Sequence, residues 1–584
     1  MKSYNLLQLL SLAFRKSVPL HVHFNSMTRY QKSIRSLLCA LMVLGLLIGG
    51  HFCLTSCNRN ATATADRGID GTSATQESVI FSDNIPDELQ TGVYYVGKFD
   101  GKERIVVFKQ LHKKNFSGVL YTINSDATLQ PKELSGKLKK KKCVCTLAGE
   151  KIVLHDLSLT VDDSGFKGNC EEGTFYFTSY KKPVYKTIDK INRYKEECFE
   201  VETIHDVKYG TAKGYWVSRP ETSNDYAKII SSGIAKTLSK KDFDLYMDLY
   251  LPKGDTMKQR PLVMFIHGGG FYIGDKRDNP IVLWCQHYAK MGYVAVSINY
   301  RMGFKPAKTS IERCGYCAVQ DAHAAMRFLI HNKDKYRIDP DYLFVAGSSA
   351  GGVTTLNLAF MRNANRPESA DGGLLTDALG DIESSGNSLK ETFKIRCIAN
   401  MWGAVHDINM INNAKTSIIS FHGDADRVVP YGAEVPFKDI KLHISNLFFN
   451  KMYGSKPIHE RAKKLGYREE LHTFKGCGHA PHVDDHNQPN EKFYFIQEKT
   501  TDFFYKEFGS EEVQIKATDG QRFTLNTKEV QTCSWRITGG LILSSSGTSV
   551  RAVWLPDAKE RVLECTGRLQ NGAGFQTQFI PNIK

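Results

Sequence analysis

The chain has 584 residues, a length that allows more than one domain. Its formal net charge is +15, but basic residues near the N-terminus contribute to that total. The sequence contains no nucleic-acid-binding motif, so the charge alone does not indicate nucleic-acid binding. We therefore expect no nucleic-acid partner.

An apolar run at residues 37–48 follows Arg29, Lys32 and Arg35. The run is shorter than the roughly 20 residues that a membrane span needs, and its basic flank is typical of a secretory signal peptide. We assign the signal to residues 1–57. Met27 begins a better-proportioned signal than Met1 does, so Met27 is the expected start.

The signal ends in Leu54-Thr55-Ser56-Cys57, which resembles the lipobox of bacterial lipoproteins. The resemblance implies that Cys57 is lipidated and becomes the first residue of the mature protein. Residues 58–84 are poor in large apolar side chains and predict a flexible tether. We expect a protein anchored through its lipid in a bacterial cell envelope, outside the cytoplasm. The alternative is a cleaved, soluble secretory protein in which Cys57 is incidental.

Residues 85–190 alternate apolar and polar side chains between turn signals, which predicts a small all-β domain. The segment Lys137-Leu138-Lys139-Lys140-Lys141-Lys142 lies within it. These lysines either attract an acidic glycan, a lipid headgroup or nucleic acid, or form a solvated hairpin on an edge strand, where lysine prevents aggregation. We take the second interpretation.

The most informative motif is Gly347-Ser348-Ser349-Ala350-Gly351. It follows a β-like run and opens a helical stretch, so Ser349 is expected on a tight strand-to-helix turn that exposes its hydroxyl group. Gly347 and Gly351 lack a Cβ, which lets strand and helix approach closely, and the N–H group of Ala350 is left to face an oxyanion. The motif by itself is weak evidence, because turns rich in Gly and Ser are common.

A buried strand is predicted at residues 262–266, and it ends on His267-Gly268-Gly269-Gly270. The N–H groups of such a loop supply a second oxyanion donor, and we assign this role to Gly269 and Gly270. His267 precedes the nucleophile and lies within the glycine loop. We therefore expect it to hold the loop in place and do not assign it to the catalytic triad.

A serine nucleophile also needs a base and a carboxylate that orients the base. The strand-like residues 417–421 lead into a loop with two candidates for the acid, Asp426, which we prefer, and Asp424, which is suited to form the turn. Further on, glycines bring His479 to the end of another strand. His479 is the predicted base, and His482 is the second candidate.

Strands alternate with helical spacing at residues 280–291 and 321–332, which predicts a mostly parallel sheet covered on both faces. The active site is then expected at the carboxyl ends of the strands. The irregular segment Met361–Lys394 is interpreted either as a lid or pocket wall or as an ordinary surface excursion.

With Tyr250-Leu251-Pro252 and Asn299-Tyr300-Arg301, these motifs resemble the α/β-hydrolase esterases related to hormone-sensitive lipase and to bacterial feruloyl and acetyl-xylan esterases. The resemblance covers roughly residues 205–508 and implies an α/β-hydrolase fold at residues 200–509. It also implies hydrolysis of carboxylic esters without a metal or cofactor. Ser348 departs from the pattern, because many members carry Asp or Glu there.

Residues 510–584 are again strand-like and resemble the PKD-like and immunoglobulin-like modules of bacterial surface proteins. The resemblance implies a small β-sandwich without chemistry of its own. Cys533 and Cys565 are the best candidates for a disulfide. Cys314 and Cys317 form a C-x-x-C pair, but no second pair lies near it, so we expect neither a metal site nor a redox site.

The resulting hypothesis is a membrane-tethered serine hydrolase that removes short acyl groups, acetyl or feruloyl, from carbohydrate. The expected partners are an ester substrate, such as an acylated polysaccharide, and the membrane itself; the oligomeric state stays open. The alternatives are a short-chain lipase, a serine peptidase of the same fold, and an inactive surface-binding protein. The His-Gly-Gly-Gly loop argues against the peptidase, and the intact triad argues against the inactive protein.

Overall fold

A computed structural model describes most of the chain in two compact units. The described residues are 79–80, 84–85, 87–99, 101–139, 142–155, 157–171, 173–218, 239–304, 309–373, 376–412, 416–438, 449–484 and 488–582. Among them, Phe199–Thr500 form one unit, here called the central unit. The residues before Phe199 and after Thr500 form the second, here called the β unit. The predicted signal peptide, Cys57 and most of the tether lie outside the described residues.

The first part of the β unit is a sheet of ten strands. They are β1 (Val79–Ile80), β2 (Tyr94–Phe99), β3 (Lys102–His112), β4 (Asn115–Ile123), β5 (Leu129–Lys139), β6 (Lys142–Leu147), β7 (Glu150–Leu154), β8 (Ser158–Asp162), β9 (Gly165–Cys170) and β10 (Gly173–Ser179). Their order is β1-β8-β9-β10-β2-β3-β4-β5-β6-β7, and all neighbours are antiparallel.

This order places the predicted lysine hairpin away from the edge of the sheet. Lys137 and Lys139 lie on β5, which is hydrogen-bonded to β4 on one side and β6 on the other. Lys139 faces Lys142 directly across the hairpin. Protection of an edge strand therefore does not explain the lysines on β5, and that part of our interpretation is wrong.

The described residues of the central unit form ten further strands and six α-helices. In chain order they are β11 (Val201–Gly214), β12 (Lys241–Pro252), β13 (Arg260–Ile266), α1 (Asn279–Lys290), β14 (Val294–Ile298), α2 (Ser310–His331), α3 (Lys333–Tyr336), β15 (Ile338–Ser348), α4 (Ala350–Phe360), β16 (Cys397–Met401), β17 (Ser417–Gly423), β18 (Ala433–Glu434), β19 (Met452–Tyr453), α5 (Ser455–Lys464), β20 (Glu469–Phe474) and α6 (Glu491–Tyr505), whose last turn passes into the β unit.

Eight of these strands form one mixed sheet in the order β11-β12-β14-β13-β15-β16-β17-β20. β12 is antiparallel to both of its neighbours, and every other pair from β14 to β20 is parallel. Strands β13, β14 and β16 are buried at every residue. Continuous burial of this kind is expected for parallel strands that are covered on both faces, and it explains why their sequences are mostly apolar.

Helix α1 agrees closely with the predicted helix at residues 280–291. Pro280 lies in its first turn, where proline is tolerated, and Gly292 follows its end with φ 102°. Helix α2 begins at Ser310, well before the predicted start at Asp321. Asp321 is buried inside the helix, where it binds Arg301 at 2.7 Å, so its charge is neutralised by an ion pair and does not mark a helix start.

In the segment Met361–Lys394, the helical elements that the structure describes are short 3₁₀ turns, at Asn363–Asn365, Glu368–Asp371 and Ile382–Ser384. Side chains of α2 hold it by its backbone. Tyr316 donates to the carbonyl of Gly380 at 2.8 Å, and Gln320 donates to that of Leu379 at 2.8 Å. Arg313 donates to the carbonyls of Ser369 and Asp377. The segment is therefore fixed to α2 at several points along its length.

The last part of the chain forms two small sheets. Strands β21 (Ile515–Asp519), β22 (Arg522–Leu525), β24 (Gly540–Ser546) and β25 (Ser549–Trp554) make one in the order β21-β22-β25-β24. Strands β23 (Val530–Thr538), β26 (Val562–Leu569) and β27 (Gly574–Phe579) make the other. Phe523, Trp535, Trp554 and Leu563 contribute to the core that they share.

The two β regions, predicted as separate domains, share a core within the β unit. Ile105 and Leu129 of the ten-stranded sheet cluster with Leu541 and Val553 of the C-terminal region. The N–H group of Trp554 also donates to the carbonyl of Ala127 at 2.9 Å. In sequence, the central unit is thus inserted between two chain segments that fold together.

The predicted disulfide between Cys533 and Cys565 is not formed, and both residues are free thiols. They lie on the paired strands β23 and β26, but Cys565 is the register partner of Trp535, two residues from Cys533. The Cys533 thiol donates instead to the carbonyl of Gly547 at 3.0 Å.

None of the described helices combines the length and the apolar character that a membrane crossing requires.

Candidate active site

Ser349 occupies the turn between β15 and α4. Its backbone has φ 55° and ψ −119°, a conformation that is rare for residues other than glycine and is associated with functional strain. A Cβ on Gly347 would lie 2.4 Å from the carbonyl oxygen of Gly351, and one on Gly351 would lie 2.0 Å from that of Ile266. Both positions therefore require glycine, for the steric reason that the sequence indicates.

The structure brings the three predicted triad residues into one hydrogen-bonded chain. Oγ of Ser349 lies 2.8 Å from Nε2 of His479, and Nδ1 of His479 lies 2.7 Å from Oδ2 of Asp426. Asp426 comes from the loop after β17, and His479 comes from the loop after β20. The carboxyl ends of three parallel strands therefore supply all three groups.

The side chain of Asp426 is fully buried, and its carboxylate accepts several hydrogen bonds. Its Oδ1 accepts the backbone N–H groups of Val428 at 2.8 Å and Val429 at 3.1 Å. Burial acts to raise the pKa of Asp426, but the charge of His479 and hydrogen bonds from His422 and His479 outweigh it, so the pKa lies below its usual value. The residue is consequently ionised at neutral pH.

The two alternatives considered for the triad have other contacts. Asp424 accepts a hydrogen bond from the N–H group of Gly476 at 2.6 Å, which joins the loop after β17 to the loop after β20. His482 stacks on Trp284 and packs against Trp402, with ring centroids 5.6 and 4.7 Å away. Burial lowers the pKa of His482 to about 4. His482 is therefore a neutral core residue, and Asp424 joins two loops.

The predicted oxyanion donors are available beside the nucleophile. Gly269 and Gly270 adopt φ of 111° and 62°. In the part of the chain that the structure describes, the N–H groups of Gly269, Gly270 and Ala350 donate to no protein acceptor. A Cβ on Gly268 would lie 3.3 Å from Cβ of Ser349, so the glycine loop passes directly beside it. Three N–H groups can thus stabilise a developing negative charge.

His267 is buried and holds the glycine loop. Its Nδ1 lies 2.7 Å from the carbonyl oxygen of Gly268, and its ring stacks on Tyr300 at a centroid distance of 4.4 Å. The hydroxyl of Tyr300 donates to the carbonyl of His267 at 2.9 Å. The sequence analysis did not single out Trp216. Its Nε1 donates to the carbonyl of Tyr272 at 2.8 Å and so supports the same loop.

Three more residues that the sequence analysis did not assign lie behind Asp426. They are Asn400 at the end of β16, His422 at the end of β17 and Ser455 at the start of α5, and all three are buried. His422 belongs to the same short motif as Asp426, which is a usable signal. Asn400 and Ser455 carry no such signal, because only the fold brings them to this place.

Residues 247–415 match the BD-FAE family model, and this range contains the glycine loop, Ser349 and Ala350 but ends before Asp426 and His479. Together with the strand order, this match identifies the central unit as an α/β-hydrolase fold, as predicted. It is an esterase-type match and extends over less than a third of the chain.

The chain is 30% identical over 103 residues to gut esterase 1 of Caenorhabditis briggsae, covering 17% of this chain and 18% of that protein. It is 27% identical over 194 residues to para-nitrobenzyl esterase of Bacillus subtilis, covering 32% and 37%. The chain thus spans well under two thirds of the curated relatives it matches. A solved thermophilic esterase of Thermogutta terrifontis with propionate bound is 21% identical, with a TM-score of 0.32, over 46% of this chain and 90% of that chain. Over residues 247–415, the chain therefore carries the sequence features of an esterase-type α/β-hydrolase.

Proposed function

We propose that the protein is a serine hydrolase of carboxylic esters that works outside the cytoplasm and removes short acyl groups, acetyl or feruloyl, from carbohydrate. One observation carries the proposal for the chemistry. The hydroxyl of Ser349, the imidazole of His479 and the carboxylate of Asp426 are joined by hydrogen bonds of 2.8 and 2.7 Å, beside three N–H donors.

In the first half of the reaction, Oγ of Ser349 attacks the ester carbonyl and gives its proton to Nε2 of His479. The carbonyl oxygen becomes an oxyanion, which the N–H groups of Gly269, Gly270 and Ala350 stabilise. His479 then donates the proton to the leaving alcohol as the carbon–oxygen bond breaks. The product of this step is an acyl ester of Ser349.

In the second half, water attacks the acyl ester and transfers a proton to His479. The tetrahedral intermediate uses the same N–H donors, and its collapse returns the proton to Ser349 and releases the carboxylic acid. Asp426 holds the tautomer of His479 that accepts a proton at Nε2 and stabilises the imidazolium that forms. The lowered pKa of Asp426 keeps the carboxylate charged for this role.

The proposed acyl group and alcohol rest on the sequence resemblance. The BD-FAE match and the resemblance to feruloyl and acetyl-xylan esterases favour a short acyl group on a carbohydrate. The lipobox-like sequence before Cys57 supports a lipid-anchored enzyme in a bacterial cell envelope, with residues 58–84 as its tether. A short-chain lipase is the closest alternative, because it uses the same triad.

A substrate series tests the acyl preference. We expect hydrolysis of p-nitrophenyl esters to be fastest from acetate to butyrate and to fall steeply by octanoate, and acetate or ferulate to be released from plant polysaccharide. Ser349→Ala is the matched control for both assays. Fastest hydrolysis of long-chain esters, with no release from acylated polysaccharide, would favour a lipase. Absence of labelling by a fluorophosphonate probe would favour the inactive binding protein.

Membrane fractionation tests the location. Replacement of Cys57 by Ala removes the thiol that would carry the lipid, so the variant should leave the membrane fraction or remain unprocessed. Cys53→Ala is the matched control, because that cysteine lies four residues earlier in the same segment. If the wild-type protein carries no lipid by mass spectrometry, the anchored location is wrong.

A further inference from the structure

We infer that His422 is a positioning residue that fixes the carboxylate of Asp426, and that Ser455 and Asn400 fix the tautomer in which His422 does so. The inference rests on the proposed function, because it assigns Asp426 to the triad. With these residues, the hydrogen-bonded chain that begins at Ser349 contains six residues instead of three.

The contacts of His422 place its ring hydrogen on Nε2. The side chain of His422 is fully buried. Its Nε2 lies 3.3 Å from Oδ2 of Asp426 and 3.2 Å from the carbonyl oxygen of Val429. The carbonyl oxygen of Val429 and the oxygen of an ionised Asp426 can only accept hydrogen bonds. Nε2 must therefore carry a hydrogen. A bare Nε2 would bring a lone pair against a buried carboxylate, which is unfavourable.

Ser455 and Asn400 enforce this tautomer from the opposite side of the ring. Nδ1 of His422 lies 2.8 Å from Oγ of Ser455, and Nδ2 of Asn400 donates to that same Oγ at 3.1 Å. The orientation of the Asn400 amide is set by the N–H group of Gly403, which donates to its Oδ1 at 2.9 Å. Because the hydroxyl of Ser455 receives a hydrogen bond from Asn400, its own hydrogen is directed to Nδ1. Nδ1 of His422 thereby accepts a hydrogen bond, and the ring hydrogen lies on Nε2.

The consequence is that Asp426 is held on both oxygens. Its Oδ1 receives the backbone N–H groups of Val428 and Val429, and its Oδ2 receives His479 and His422. Rotation of the carboxylate would break hydrogen bonds on both sides at once. His422 also meets the ring of Tyr431, at a centroid distance of 5.6 Å, and Asp426 and Tyr431 are the titratable groups with described contacts to it.

The geometry gives His422 a different task from that of His479. His479 reaches the serine and exchanges protons with it, whereas His422 is enclosed by Asp426, Val429 and Ser455 and contacts no reacting atom. Its contribution is to keep the carboxylate oriented while the charge on His479 changes. Loss of this contribution should therefore slow the chemical step and leave substrate binding unchanged.

A pair of substitutions at His422 tests the inference. His422→Phe keeps a planar ring but removes both nitrogens, and we expect kcat for p-nitrophenyl acetate to fall about 10- to 100-fold with KM changed less than about twofold. His422→Gln places an amide nitrogen close to the position of Nε2, so it should recover most of the lost kcat. Thermal unfolding of each variant identifies any general loss of structure.

The pH profile supplies a readout that a merely structural role would not move. Without the hydrogen bond from His422, the negative charge of Asp426 is less neutralised. It therefore stabilises the imidazolium form of His479 more strongly. We therefore expect the acid limb of kcat/KM to move to higher pH in His422→Phe and to return toward the wild-type position in His422→Gln. A folded His422→Phe variant with wild-type kcat and an unmoved acid limb would overturn the inference.

Ser455→Ala keeps the inference testable if His422→Phe does not fold. The variant removes the hydrogen bond to Nδ1 and should lower kcat by less than His422→Phe does, with KM unchanged. In a double-mutant cycle, Ser455→Ala should have little further effect once His422 is Gln, because Gln no longer needs Ser455 to choose a tautomer. Additive effects would overturn the inference. Failure of the proposed function is distinct, because Ser349→Ala would then retain the wild-type rate.

Discussion

The central unit and the β unit bury their strands in different ways. Strands β13, β14 and β16 are enclosed along their whole length, whereas the residues of β2 and β10 in the β unit alternate between less and more exposed positions. In the central unit, the triad residues Ser349, Asp426 and His479 lie in turns or loops that follow the carboxyl ends of β15, β17 and β20. A sheet that is covered on both faces leaves its strand ends as the place where side chains can converge on a substrate.

The units also differ in the charges that they bury. The central unit encloses Arg301 against Asp321 at 2.7 Å, with side-chain exposures of 6% and 0%. In the β unit, Lys109 and Glu133 meet at 3.0 Å with exposures of 55% and 76%. These two ion pairs therefore differ in how strongly water screens their charges. The following experiments test that difference.

The largest expected effect is that of Ser349→Ala. Removal of the nucleophile should lower kcat by roughly 10⁶-fold, because the triad acts as a unit. The β unit carries none of the reacting groups, so its folding should be unchanged, as should the thermal unfolding of the whole protein. Initial rates with p-nitrophenyl acetate and circular dichroism measure the two quantities. Retained activity would remove the assignment of the nucleophile.

A smaller loss is expected for Asp426→Asn, about 10⁴-fold in kcat, because the amide favours the wrong tautomer of His479. Asp424→Asn is the matched control, since Asp424 contacts the backbone of Gly476. It should lower kcat far less. If Asp424→Asn were the more damaging substitution, the acid of the triad would be misassigned.

A comparison of ion pairs tests the contrast between the units in terms of stability. Asp321→Asn leaves the buried guanidinium of Arg301 without its counter-charge and should lower the free energy of unfolding by about 3–5 kcal/mol. Lys109→Met breaks an exposed pair in the β unit and should change it by less than about 1 kcal/mol. Urea denaturation monitored by tryptophan fluorescence measures both. Equal effects would contradict the proposed difference between the units.

The smallest effect concerns pH. Burial lowers the pKa of His482 to about 4, and unfolding restores the usual value near 6.5. Between these values the unfolded state binds the proton and the folded state does not, so the stability of the central unit falls as the pH falls. His482 should contribute a slope of up to about 1.4 kcal/mol per pH unit from pH 6.5 to 4, and none above that window.

His482→Phe should therefore flatten the loss of stability between pH 6.5 and 4.5. His323 contributes to the same slope, because burial lowers its pKa to about 3, so part of the dependence remains in the variant. His112→Phe is the control in the β unit, where His112 is exposed, and should leave the slope unchanged. A steeper slope in His482→Phe than in the wild type would contradict this account.

The amino-acid sequence by itself determined the features that depend on neighbouring residues. The glycines around Ser349 and the loop after His267 are steric requirements of tight turns, and they are visible as short motifs. The order of Asp426 and His479 after Ser349 follows from the order of the strands. Mostly apolar runs, such as residues 262–266, identify the buried strands, because burial on both faces disfavours a regular polar alternation.

Only the tertiary structure decided the contacts between distant segments. Ala127 and Trp554 are joined by a backbone hydrogen bond, and no local pattern in either segment specifies this pairing. The sequence predicts a helix start at Asp321, whereas the structure pairs Asp321 with Arg301 inside α2. Likewise, Asn400 and Ser455 become part of the site only because β16 and the start of α5 meet behind Asp426. Their roles are set by distance and hydrogen-bond direction, which the order of residues along the chain does not contain.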